Sequence, residues 1–432
     1  MSLTSFVSRH RRKLYAVTGA VAVSYVAYSF LKSKLSDLQG QLVSDRTNKE
    51  KLRRRFAKNQ ADAELTIMAL LPALCEHLER TFPVDETTRD LQSRRNVTAT
   101  ASTDTESVSS STYTLLESTE RKKTKKELWD DLKIQSLCRT VTLAYGLVLL
   151  TFFTRLQLNV LGRAAYVESV AQTLDGGAGG PQAEAQAART LKVSEHYLNF
   201  SAWFLNWGVD RLCARVEEAV RDVFGTIQPR TELEADELAA ALGAVYGHLD
   251  VVGNAAEFLL PTDADDVAVV MRLVPAVGDA DLDVAADDPA LRALLDETAD
   301  LLESPQARRT LAGMTAAAFG LLDDALQRDF YFTVPASSTE VPPPPARPVP
   351  AGPEAGSENA SAAGQDASAA VQSASPTASA SAGRAKLASI LAGVGRQAGQ
   401  LALADQDLNL YFKAISEVPE LAAFCAVVYS NY

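Results

Sequence analysis

The chain reads as an all-α protein: a single N-terminal transmembrane helix followed by a large bundle of long amphipathic helices. Three observations predict this. Apolar residues recur at threes, fours and sevens over long stretches, the spacing of one helix face. An uncharged run of eighteen residues, 14–31, lies near the N-terminus. Between the periodic stretches the composition turns to Gly, Pro, Ser and Thr, which breaks helices and builds loops.

Residues 1–13 form a basic segment carrying Arg9, Arg11, Arg12 and Lys13. The run that follows is apolar through Leu14, Val17, Val21, Val23, Val26, Phe30 and Leu31, and at about 1.5 Å per residue it is just long enough to cross hydrocarbon. Ala20-Val21-Ala22 and Ala22-Val23-Ser24 have the small-x-small form of signal-peptide cleavage sites, so a removed leader is the rival reading. The charged, helix-prone stretch from Arg46 onward favours a stem emerging from an anchor. Both flanks are basic, so charge counting leaves the orientation open.

Residues 32–432 read as one large helical domain. From Arg46 to Phe82 the positions Leu52, Phe56, Ala63, Ile67, Leu70, Leu74 and Leu78 mark a long amphipathic helix, with Ser44 or Thr47 placed to cap it. Insertions are expected at about 96–124 (Ser/Thr-rich), 175–190 (beginning at Gly176-Gly177-Ala178-Gly179-Gly180) and 335–383 (Pro, then Ala/Ser/Gly). The glycine run lacks the preceding strand and the following Lys-Ser or Lys-Thr of a phosphate loop, so it reads as a linker. Val141 to Phe153 is apolar but only about thirteen residues long and is closed in by Arg139 and Arg155, which predicts a buried bundle helix in place of a second span. Helical patterns resume over 212–224, 233–249, 291–302 and 311–330, and again from Leu387 and through 408–428. The acidic stretch around Asp279-Ala280-Asp281-Leu282-Asp283 lacks the glycine and glutamate of a calcium loop and reads as a solvated loop.

The segment from Leu128 to Asn159 has two opposed apolar faces when wound at 100° per residue. Ile134, Leu137, Cys138 and Val141 fall on one side; Leu128, Trp129 and Leu132 cluster on the other, with Lys125 beside them. One face serves a core and the other needs a separate partner. Spacing alone fits Trp129 equally to a groove wall and to ordinary packing against a neighbouring helix.

The composition excludes several function classes. A net charge of -12 argues against nucleic-acid binding by the chain as a whole, and its local basicity near the N-terminus suits a membrane surface. The cysteines, Cys75, Cys138, Cys213 and Cys425, are far apart, as reduced thiols of a cytosolic domain would be. His10, His77, His196 and His248 stand in no metal-binding spacing, and no G-x-S-x-G, Walker or dinucleotide fingerprint occurs. No catalytic residue, cofactor or metal follows from the sequence.

Several blocks carry a family resemblance. Leu128-Trp129, Leu132-Lys133-Ile134 and Ser136, running on to Thr154-Arg155-Leu156-Gln157-Leu158-Asn159, resemble the peroxin-three family of membrane-anchored peroxisome biogenesis factors. So do Arg54-Arg55-Phe56 with Asn59-Gln60 and Asp62, Tyr197-Leu198 with Phe200-Ser201 and Trp203, and Asp296-Glu297-Thr298 with Leu302-Glu303-Ser304-Pro305. The resemblance implies a lumenal N-terminus, a cytosolic bulk and a place in the peroxisomal membrane. It implies no enzymatic activity. It further implies docking of the import receptor for peroxisomal membrane proteins, peroxin-nineteen, whose amphipathic helix enters a hydrophobic groove at the membrane-distal end of the bundle. The matching positions are Leu128, Trp129 and Leu132, with Lys125 at their edge and Lys386 flanking the same groove. The alternative is an organelle tether linking peroxisomes to inheritance or degradation machinery.

Overall fold

The computed structural model describes residues 48–100, 123–174, 181–261, 266–267, 270, 288–331 and 383–430. The anchor positions Leu14 to Leu31, the glycine run, nearly all of the acidic stretch and most of the 335–383 insertion lie outside them.

Helix α1 (Asn48–Thr81) and helix α2 (Val84–Thr100) are separated by Phe82-Pro83 and run along α3 (Lys125–Leu174). Their register is antiparallel. Arg155 of α3 reaches Gln60 at 3.1 Å and Glu64 at 3.0 Å, and Arg139 reaches Glu79 at 2.9 Å. Further on, Thr87 Oγ1 donates to Gln135 Oε1 at 2.9 Å and Arg94 donates to the Lys123 carbonyl. Partner numbers rise in one helix as they fall in the other, so α1 and α2 together track nearly the whole of α3.

The chain continues through α4 (Pro181–Leu198), the single turn α5 (Phe200–Trp203), a π-helical turn at Phe204–Gly208 and α6 (Val209–Phe224). Next come β1 (Glu232–Leu233), α7 (Ala235–His248), α8 (Ala255–Leu259), α9 (Pro289–Glu303) and α10 (Pro305–Phe330). Strand β2 (Ala385–Lys386), then α11 (Leu387–Leu401), α12 (Leu410–Ser416) and α13 (Pro419–Ser430), complete the described fold. Local chemistry sets several of these boundaries. Asp288 and Ser304 cap α9 and α10 by accepting from Ala290 N and Ala307 N, each followed by a proline at the first helical position, and Asn409 caps α12 by accepting from Phe412 N at 2.9 Å.

Helix α3 is the spine: α1, α2, α6, α10, α11 and α13 all pack against it. A helix surrounded in this way must be apolar on every side, and every residue from Thr140 to Gly162 is buried. The window of α3 apolar enough for a membrane is 94% buried inside the bundle, so Val141 to Phe153 is core, as its length predicts. Two glycines let neighbours approach the spine. A Cβ on Gly146 would meet Leu74 Cδ2 at 2.9 Å, and one on Gly162 would meet Tyr429 Cε2 of α13 at 2.7 Å.

Two margins differ from the sequence reading. Helix α2 continues to Thr100, past the start of the 96–124 stretch, and α4 begins at Pro181, inside the 175–190 stretch. Proline preset for a first helical turn and the alanine-rich run behind it outweigh the glycines that precede them.

Candidate functional site

Helix α3 opens with a capping box. The Glu127 carboxylate accepts from Thr124 N at 2.6 Å, and Thr124 Oγ1 accepts from Glu127 N at 3.3 Å. Directly beyond it lie the sequence-predicted residues. Lys125 is exposed, Trp129 and Leu132 are partly exposed, and Leu128 is buried at 5% exposure. Leu128 nevertheless stands outside the contiguous core, whereas Ile134, Leu137, Cys138 and Val141 on the other face belong to it. The two faces therefore separate as the helical spacing requires, although Leu128 sits deeper than a groove-lining residue needs to.

Lys386 arrives from the far end of the sequence. It pairs with Glu232 in the antiparallel β1–β2 ladder, its side chain is exposed, and Arg384 beside it makes a forked pair with Glu234 at 3.0 and 2.8 Å. The segment 225–231, between α6 and β1, joins this ladder to α3. Its Thr231 and Pro229 carbonyls accept from Leu387 N and Ala388 N, each at 2.9 Å. Its Ile227 carbonyl accepts from Lys133 Nζ at 2.7 Å. The first turns of α3 and the start of α11 are thus held at one end of the bundle through a shared loop. Sequence reasoning missed Lys133 and this loop: backbone carbonyls leave no trace in a residue pattern.

That end is remote from the start of α1. The Arg55 guanidinium lies 5.6 Å from the Tyr166 ring near the start of α1, and Trp129 is thirty-seven residues from Tyr166 along α3, roughly 55 Å of helix.

The other motif blocks have a different task. Asn59 and Gln60 both donate to Asn159 Oδ1, at 3.1 and 2.9 Å, while Gln157 Nε2 donates to the Tyr197 carbonyl at 2.8 Å and Gln157 Oε1 accepts from Ser201 Oγ at 2.7 Å. The hydroxyls of Tyr197 and Thr298 meet at 2.6 Å, and Arg163 pairs with Glu297. These groups join α1, α3, α4, α5 and α9 inside the bundle; their role is assembly.

Among the described residues, no group of three or more His, Cys, Asp or Glu side chains is placed to hold a metal ion. Burial pushes the Cys75 and Cys213 thiols up to about 12 and Cys425 up to about 11, so none of these is a ready thiolate. His77 bonds Asp210 at 2.7 Å, and burial first, then Lys192, holds His196 below its usual range.

The described fold is a helical scaffold whose buried polar groups fasten helix to helix, with a partly exposed Trp-Leu face at one end. The chain is a member of the Peroxin-3 family, whose model matches residues 5–431. It is 34% identical over 471 aligned positions to peroxisomal biogenesis factor 3 of Yarrowia lipolytica, covering 99% of each chain. It is also 32% identical to peroxisomal biogenesis factor 3 of Debaryomyces hansenii, over 59% of this chain and 62% of that one. To the peroxisomal membrane protein PEX3 of Komagataella phaffii it is 29% identical, over 57% and 58%.

Proposed function

We propose that this protein is a peroxisomal biogenesis factor, held in the peroxisomal membrane by residues 14–31, whose cytosolic bundle docks the peroxin-nineteen import receptor through an amphipathic helix. The observation that carries the reading is the placement of Trp129 and Leu132. They remain partly exposed in the first turns of α3, the end remote from the start of α1, where Lys125 is exposed, and Lys386 is exposed on the ladder that the 225–231 loop ties to α3. An aromatic anchor flanked by lysines matches a helix with an apolar stripe and acidic edges: the apolar contact supplies affinity and the lysines orient the approach.

The test is calorimetric titration of the full-length chain, in detergent micelles, with a peptide of the receptor's N-terminal helix. Trp129→Ala is expected to weaken binding by roughly 2 to 4 kcal/mol, the range for an aromatic hot spot, with helix content unchanged. Wild-type affinity in that variant would place docking elsewhere.

A further inference from the structure

Lys133 is charged, 1% exposed and unexplained by the core it sits in. Its Nζ donates to the Ile227 carbonyl at 2.7 Å and lies 3.4 Å from both the Gly225 carbonyl and Asp130 Oδ1. Gly225 is the C-cap of α6, its N–H donating to the Arg221 carbonyl. The carbonyls just beyond a helix C-terminus lack helical partners and sit at the negative end of the helix dipole, so an ammonium answers both needs. The other end of the same loop holds α11 through Thr231 and Pro229, and continues into the residue paired with Lys386.

We propose that Lys133 is a positioning residue of the docking site: by fixing residues 225–231 against α3, it holds Lys386 in register with Trp129 and Leu132. This rests on the docking reading above. Without the ammonium, the Ile227 carbonyl would lose its 2.7 Å donor, and the largely exposed 225–231 loop would lose this tie to α3. The ladder carrying Lys386 would then lose its fixed distance from the Trp129 face.

Two readouts on the full-length chain in detergent micelles test this. In the first, needing no partner, hydrogen exchange at the Leu387 and Ala388 amides should quicken in Lys133→Met, while exchange in the buried middle of α3 stays as in wild type. In the second, titration with the receptor-helix peptide, Lys133→Met and Lys386→Ala should each weaken binding by about tenfold, and the double variant by no more than either alone, the non-additivity of residues acting through one element. Lys133→Arg, which keeps donors for the carbonyls, should restore most of the affinity. Should the Met variant fail to fold, Lys133→Gln carries the same cycle with a smaller effect. Multiplying effects in the double variant, or unchanged exchange at Leu387 and Ala388, would overturn the proposal. Failure of the docking reading looks different: Trp129→Ala and Lys386→Ala would bind as wild type while the exchange difference persisted.

Discussion

Asn59 donates to Asn159 at 3.1 Å across one hundred residues of sequence, and both side chains are fully buried. Asn159 is used on each side: its oxygen also accepts from Gln60, and its own amide donates to the Arg155 carbonyl at 2.7 Å. Two blocks that look like separate motifs along the chain are halves of one interface. In a buried site each bond contributes little net, but each orphaned donor costs about 1 to 3 kcal/mol.

Asn159→Leu should therefore destabilise the bundle by roughly 2 to 4 kcal/mol, because it strands the amides of Asn59 and Gln60. Chemical denaturation of the full-length chain in micelles checks this. A loss under about 0.5 kcal/mol would mean that both amides find other partners.

Much of this architecture was legible in the sequence. Leu70, Leu74 and Leu78 keep helical spacing and all are buried, and Leu137 and Val141 fall on the core side as the 100° wheel places them. What escaped the pattern is tertiary. A wheel describes an isolated helix, so it groups Leu128 with Trp129; in the fold, with α2 packed along α3, Leu128 is buried and Trp129 is partly exposed. Lys133 enters the sequence reading only within the Leu132-Lys133-Ile134 block, and only the end of α6 beside it makes it a buried cap. The helix at Pro181 was hidden by the glycines before it.

A pH dependence follows from Asp323. Burial pushes its carboxyl from 3.8 up to about 6, against the opposing bond from the Tyr246 hydroxyl at 3.1 Å. Its folded-state value is raised, so between about pH 4 and 6 the folded chain binds the proton that the unfolded chain has released, and stability falls as pH rises through that window. Asp323→Asn should flatten this slope, raising the melting temperature more above pH 6 than at pH 4. Parallel melting curves for the two proteins across that range would exclude Asp323 as the source.

The anchor reading predicts an insertion defect. Val21→Arg places a charge near the middle of 14–31 and should disfavour insertion by about 2 to 3 kcal/mol. Removing residues 1–35 should release a soluble folded bundle, since every buried core position in the described fold lies beyond it. Retention of that fragment in the pellet after carbonate extraction would reveal a second membrane contact.

The two faces of α3 make opposite demands on mutation. Leu137 is 2% exposed and belongs to the contiguous core, so Leu137→Ala should cost about 2 to 5 kcal/mol of stability, with any loss of binding following from unfolding. Leu132, partly exposed, has less to lose on folding and more to give a partner; Leu132→Ala should leave melting nearly unchanged and weaken receptor binding less than Trp129→Ala does. Lys125→Glu should act mainly on the association rate and its salt dependence, as a rim charge does. Leu128 discriminates between the readings because it is buried yet outside the core, so Leu128→Ala should lower stability and affinity together. Melting beside titration for these four variants and Trp129→Ala separates these outcomes. If Trp129→Ala melts the domain as severely as Leu137→Ala, the distinction between the faces fails and Trp129 is a core residue.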